Sequence, residues 1–231
     1  PPRAPAPSAP RQPPRPYWAR TRMGSMTTVL AGFTAALLAL APITNPIGAL
    51  AAFAGLTAGG EPGSVRSQAW KTGGYVFGIL TAFAVSGSVI MRFFGFDLPA
   101  LQIAGGIVVA HSGFSMLENK RRTTTDEEQH AAAKEDVSFS PMALPLIAGP
   151  GSIGVVIALA ARDPSPAFHV GIVLGVLVAS AVIAALLRYA TPWIDKLGAT
   201  GVGAIVRIMG FLILVIGVEL IIHGIRSLQL F

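Results

Sequence analysis

Six apolar stretches follow one another along this chain, at about 27–58, 69–94, 98–117, 139–161, 168–189 and 202–225. A membrane helix needs about 20 predominantly apolar residues, so each stretch is read as a membrane segment. Two of them carry proline in their middle. The first, without charge over 26–58, is too long for one upright helix and short for two; it contains Pro42 and then Thr44-Asn45-Pro46-Ile47-Gly48. The fourth contains Pro145 and then Gly149-Pro150-Gly151-Ser152. Proline lacks the backbone N–H, and its ring clashes with the carbonyl four residues back. Segments one and four are therefore predicted to be broken helices. Backbone groups freed at membrane depth must face protein, water or a ligand, because hydrocarbon cannot satisfy them.

The two breaks are related by a constant shift. Moving the chain by 104 positions lays Asn45-Pro46 on Gly149-Pro150 and Gly48 on Ser152, and also lays Gly106 on Gly210 and Gly113 on Gly217. Two homologous halves are expected, 26–117 and 139–231, joined by a hydrophilic linker at 118–138. Three segments per half put the second half into the membrane upside down. The fold class expected is an all-α membrane protein: six transmembrane segments as two inverted three-helix repeats, with broken helices one and four. Secondary transporters built this way bind solute near the midplane, between discontinuous helices.

Composition agrees. Hydrophobic residues make up 52% of the chain and charged residues 12%, against about 25% charged in a soluble domain. The formal charge of +6 suggests nucleic acid at first sight, but Arg3, Arg11, Arg15, Arg20 and Arg22 carry most of it, and the rest is nearly neutral with 12 basic and 11 acidic side chains. No nucleic-acid partner is expected. Residues 1–25, rich in Pro and Arg, are expected to be a disordered tail or an overextension of the gene model, since Met23 and Met26 immediately precede the first apolar run. The loops after segments one, three and five hold Arg66, Lys71, Lys120, Arg121, Arg122, Lys134, Arg188 and Lys196; those after two and four, with the C-terminal end, hold Arg92, Arg162 and Arg226. Basic loops stay cytoplasmic, so both termini are predicted to be periplasmic or external. The absence of cysteine excludes disulfides and thiolate metal sites.

Candidate chemistry follows from the breaks. Asn45, Pro46 and Gly48 on one side, and Gly149, Pro150, Gly151 and Ser152 on the other, are the candidate substrate-binding residues. A half-helix N-terminus suits a carboxylate, and carbonyls at the end of the preceding half suit an ammonium. A zwitterion needs both. The bland reading is that the prolines only kink helices for packing. Glycines 203, 210, 217 and 224, echoed by Gly106 and Gly113, mark a close-packing face. Arg207, Glu219 and His223 are candidates for gating or coupling, set against a snorkelling anchor for Arg207 and an interfacial ion pair for the other two. His111 is read as a packing residue. No metal site, cofactor or catalytic group is expected, and the chain is not read as an enzyme. An intramembrane serine protease would need Ser152 beside His111 or His223. A channel-like or structural membrane protein without coupled transport is the other alternative. The partners expected are a small-molecule solute and the lipid bilayer, with room for a homo-oligomer.

The chain also resembles the MarC family of integral membrane proteins. The resemblance runs from Thr27 to Arg226. It rests on Pro42-Ile43-Thr44-Asn45-Pro46, on Phe94-Gly95-Phe96-Asp97-Leu98-Pro99 leading into Leu101-Gln102-Ile103-Ala104-Gly105-Gly106, on Pro145-Leu146-Ile147-Ala148-Gly149-Pro150-Gly151-Ser152, and on Arg207-Ile208-Met209-Gly210-Phe211. Some members of that family are described as neutral amino acid transporters. The resemblance implies six helices in a bacterial inner membrane and movement of a small solute.

Overall fold

The computed structural model describes residues 17–118 and 136–228. The order is α1 (Tyr17–Ile43), α2 (Pro46–Leu56), α3 (Pro62–Phe94), α4 (Leu98–Leu117), an irregular arm (Ser138–Ile147), α5 (Pro150–Arg162), α6 (Pro166–Tyr189) and α7 (Thr191–Ser227). No strand occurs among the described residues. Among the described residues, four helices are long and apolar enough to cross a membrane: Gly24–Ile43, Leu98–Leu117, Pro166–Tyr189 and Thr200–Ser227. The arm and α5, bent by 61° where they meet, form a fifth candidate span. Helix α1 begins at Tyr17, inside the stretch expected to be a tail; residues 1–16 and most of the expected linker lie outside the described residues.

Proline sets where these helices start. Pro46, Pro62, Pro99, Pro150, Pro166 and Pro192 each stand at the first or second helical position, where the missing N–H has no helical partner to lose. Helix α3 closes on Gly95 at φ 68°, a left-handed cap that favours glycine. The arm departs from expectation. It is not the regular first half of a broken helix. Ser140 and Leu144, each followed by proline, are extended at φ −130°, ψ 122°, as the residue before a proline prefers. Wide turns close around them, from the Met142 N–H to the Val137 carbonyl (3.2 Å) and from the Ala148 N–H to the Ala143 carbonyl (2.8 Å).

Two apolar clusters hold the bundle together. The larger one joins Leu40, Phe53, Leu80, Met142, Ile147, Ile172 and Val176, from α1, α2, α3, the arm and α6. The smaller joins Ile43, Val109, Met116, Val155 and Ile213, from the end of α1 and from α4, α5 and α7. Close helix approaches follow the glycines. A Cβ at Gly106 would stand 2.7 Å from the Gly217 carbonyl oxygen, and one at Gly113 would stand 2.5 Å from the Leu214 nitrogen. Outward faces carry Val85, Val89, Phe93, Leu174, Val182, Ile208, Phe211 and Val215 exposed. An apolar surface this extensive fits lipid rather than water.

The arm is clasped to α3 at its start. The Asp136 carboxylate lies 2.8 Å from the Lys71 ammonium and accepts hydrogen bonds from the Ser138 N–H (2.9 Å) and hydroxyl (2.5 Å). The Gln68 side-chain oxygen accepts from the Val137 N–H at 3.0 Å. The ammonium of Lys71 and the Ser138 hydroxyl hold the Asp136 carboxyl down to about 2. The expected linker thus ends in a fixed anchor rather than in free chain.

Candidate functional site at the second helix break

The first break is closed on itself. Asn45 adopts the left-handed conformation, φ 45° and ψ 65°, and caps α2. Its side-chain oxygen accepts from the Gly48 N–H at 3.2 Å, and its carbonyl accepts from the Ala49 N–H at 2.9 Å. Its amide nitrogen points at the Met116 sulfur, 3.7 Å away. Thr44 returns its hydroxyl to the Leu40 carbonyl at 2.9 Å. Thr44 and Asn45 are both 1% exposed. Both ends of the Asn45 side chain thus find partners, one inside the turn and one in α4, and the Thr44 hydroxyl finds one in the last turn of α1.

The second break opens on a cavity. Gly149 caps α5 in an extended conformation without a side chain to offer, and its carbonyl accepts from the Ile153 N–H at 3.0 Å. The buried Ser152 hydroxyl donates to the Ile147 carbonyl at 2.8 Å, so it stitches the arm to α5 across the bend. Beside this turn lies a cavity of about 190 Å³. Gly149, Pro150, Gly151 and Ser152 line it together with Pro141 and Pro145 of the arm, Ile43 of α1, Val108, Val109 and Ser112 of α4 and Ile213 of α7. No charged side chain is among them. Helix α5 points its N-terminus here, and the first-turn N–H groups have no helical acceptor. The cavity therefore offers partial positive charge, two hydroxyls and an apolar wall.

The predicted residues divide accordingly. Gly149, Pro150, Gly151 and Ser152 come together at the cavity; Asn45, Pro46 and Gly48 do not line it, although Ile43, just before that break, does. Arg207 is exposed on α7. Glu219 and His223 form an exposed pair at 3.3 Å, off the face that carries the buried Gly217 and Gly224. His111 is exposed, not packed inside as expected. Sequence reasoning missed Val108, Ser112, Pro141 and Ile213. Only Ser112 left a trace: with Val109, Gly105, Gln102 and Leu98 it repeats at helical spacing along α4.

A second, wider cleft of about 700 Å³ lies at the other end of α5, between the α3–α4 and α5–α6 turns. Arg92, Phe96, Asp97, Leu98, Ala161 and His169 contribute to its wall.

Comparison with known proteins gives one consistent relationship. Residues 30–229 match the profile of a family described as MarC family integral membrane protein. The chain is 31% identical over 205 residues to the UPF0056 inner membrane protein MarC of Salmonella paratyphi A, covering 83% of this chain and 93% of that one. It is 33% identical over 203 residues to a UPF0056 membrane protein of Pyrococcus abyssi, covering 87% and 98%. No solved structure matches. Together with the apolar helices, these relationships make the chain a multi-pass inner membrane protein.

Proposed function

This chain belongs to the MarC family of integral membrane proteins, and on that premise we propose that it is a secondary transporter. It moves a small neutral or zwitterionic solute, a neutral amino acid, across the bacterial inner membrane. The observation that carries this reading is the cavity at the Gly149–Ser152 break. A buried site needs only about 10–15 Å³ to hold one water, so about 190 Å³ admits a solute of several heavy atoms. The uncharged wall disfavours a net ion, which would lose its hydration without a counter-charge. The N-terminus of α5 favours a carboxylate, while the Ser112 and Ser152 hydroxyls and the arm's carbonyls suit an ammonium. The Ser152 hydroxyl is engaged by a carbonyl rather than a histidine, which weighs against the protease alternative.

Six spans in two inverted halves are part of the same proposal. Helix α3, 33 residues long, extends to about 50 Å at 1.5 Å per residue and supplies the sixth span. The approach of Gly106 to Gly217 and that of Gly113 to Gly210 exchange when each residue is replaced by its partner 104 positions away. Such an exchange is what a two-fold relation between halves requires. Helices α1 and α6 run parallel where Gly32 meets Phe168 and Gly175 meets Ala36, which alternate threading of six spans also requires. With the basic loops cytoplasmic, the cleft between the α3–α4 and α5–α6 turns faces outward.

Counterflow of labelled alanine, glycine and serine in proteoliposomes tests the function. Saturable exchange by the intact protein, reduced in a folded Ser152→Ala variant, is expected. Folded protein that exchanges none of the three overturns the amino acid reading.

A further inference from the structure

The wide cleft at the far end of α5 differs from the mid-membrane cavity in carrying charge of both signs. Arg92 and Asp97 reach its wall from the α3–α4 turn and His169 from α6; the remaining lining residues are apolar or glycine. Its volume of about 700 Å³ is that of a small-molecule site. Such sites span about 300–1,000 Å³ and combine mostly apolar walls with a few placed polar groups.

Both rims of the cleft are built from closed turns. Gly95 turns the chain in the left-handed conformation, and the Phe96 N–H donates to the Met91 carbonyl at 2.9 Å. The Phe96 ring stacks on Phe94 with 5.4 Å between centroids. Arg92 and Asp97 thus stand on either side of one fixed turn. On the facing rim, the Asp163 carboxylate accepts from the Ser165 N–H at 2.8 Å, and the Ser165 hydroxyl accepts from the Phe168 N–H at 3.4 Å.

Two acceptors of the cleft wall are not engaged in this way. Asp97 occupies the N-cap of α4, where a carboxylate ordinarily accepts a first-turn N–H, as the side chains of Asn45 and Ser165 do for their own helices. Asp97 caps nothing, and its carboxylate has no hydrogen bond or ion pair among the described residues. His169 is pinned through Nδ1, which lies 3.1 Å from the Ser165 carbonyl oxygen. A carbonyl only accepts, so Nδ1 carries the proton, and Nε2 of the neutral ring is left as an acceptor. A carboxylate on one rim and an imidazole nitrogen on the other suit an ammonium, whose three N–H groups point in different directions. The Arg92 guanidinium suits a carboxylate or a phosphate.

We propose that the cleft is a second ligand site, which takes a zwitterion with its ammonium between Asp97 and His169 and its anionic end on Arg92. Phe96, Leu98 and Pro166 receive the apolar remainder. A free amino acid and an ethanolamine phospholipid headgroup both carry this pair of charges. The site rests on the cleft and its charges, and stands whether or not the chain transports.

The chain has no cysteine, so a single introduced one reports on the cleft. Ala161→Cys and, independently, Pro164→Cys sit in its wall; Ser227→Cys, exposed at the end of α7, is the control. Each full-length variant is purified in detergent and labelled with N-ethylmaleimide. Alanine or glycerophosphoethanolamine is expected to slow labelling several-fold in the cleft and to leave the control unchanged. Propionate and ethylamine, which carry one charge each, should protect less. Asp97→Asn keeps the shape of the side chain and removes its charge. It should raise the concentration for half-protection about tenfold, the worth of one hydrogen bond to a charged group, at an unchanged thermal midpoint. Protection by alanine alone identifies a free solute and protection by glycerophosphoethanolamine alone a lipid headgroup; either upholds the zwitterion site. No protection by either, equal protection by propionate or ethylamine, or protection indifferent to Asp97→Asn overturns it. Protection lost in a Ser152→Ala background would belong to the mid-membrane cavity and would also overturn it. Cleft protection in a protein that exchanges no alanine would leave this site standing and remove the amino acid transport reading. Intact exchange without protection would do the reverse.

Discussion

The two helix breaks begin from the same sequence device, a proline at the head of a half-helix, and end in opposite states. At Asn45 a carboxamide and a left-handed backbone fill the turn, and Asn45 itself accepts from the N–H groups of Gly48 and Ala49. At Gly149 no side chain is available to cap α5, and the space beside it is a cavity. A break that supplies its own hydrogen bonds is a structural joint. A break that leaves a helix N-terminus facing a cavity is a place for something else to bind. The difference lies in one residue, Asn against Gly, at positions that coincide under the 104-residue shift.

Substitutions at the joint should cost most. Asn45→Ala removes the cap, worth about 0.5–2 kcal/mol, and forces a left-handed conformation on alanine at about 1–2 kcal/mol. A loss of about 2–3 kcal/mol is expected in denaturant unfolding, whereas Asn45→Gly, which tolerates the backbone, should lose about 1 kcal/mol or less. Equal losses for the two would deny the joint its left-handed strain. Next comes Gly48→Ala. Its methyl group would land on the Asn45 carboxamide, and overpacking of this kind costs about 1–3 kcal/mol. The corresponding glycine change at the open break, Gly151→Ala, puts its methyl 3.1 Å from the Val109 side chain at the cavity wall, a contact that a shift of a few tenths of an ångström toward the cavity relieves. It should leave the thermal midpoint nearly unchanged while slowing counterflow, and the reverse pattern would exchange the roles of the two breaks.

Ser152→Ala should cost about 1 kcal/mol of stability, the net worth of one hydrogen bond, and about fivefold in exchange rate if the hydroxyl also meets the solute. A stability loss without any change in exchange would confine Ser152 to stitching the arm. The smallest effect belongs to the clasp. The Asp136 carboxyl is held at about 2 against an ordinary 3.8, so its contribution is complete above the ordinary value and fades as pH falls through about 2. Its side chain is 43% exposed, and screened pairs of this kind contribute about 0–1 kcal/mol. Asp136→Asn should lower the midpoint slightly at pH 7 and not at all near pH 1.5, where the carboxyl is protonated.

How much of this was legible beforehand depends on what each residue signals locally. Pro46 and Pro150 mark breaks by covalent structure, so both were placed to the residue. Glu219 and His223, four apart on one helix, pair as their spacing dictates. The arm was not legible. An apolar run with Pro145 reads as a helix half until Pro141 and Pro145 are both allowed to make their neighbours extended, and only the chain's packing against α3 fixes the turns that result. The closure of the first break was also hidden, because Asn is a candidate ligand and an excellent cap alike, and nothing nearby in sequence says that Met116 will lie against it. The cavity's distal wall, Val108 and Ile213, comes from helices whose residues are simply apolar. Only tertiary packing separates those that line a void from those that fill one.

The interlocked glycines of α4 and α7 have a mechanical consequence. Gly106 and Gly113 on one helix, and Gly210 and Gly217 on the other, bring the two main chains into contact over two turns. Neither helix can slide by one residue without driving carbonyl into carbonyl. The two helices thus behave as a single strut, one member drawn from each half of the chain. Any motion that changes access to the cavity must be made by the short pieces leaning on that strut, α5 above all, pivoting at its proline while the frame stays still.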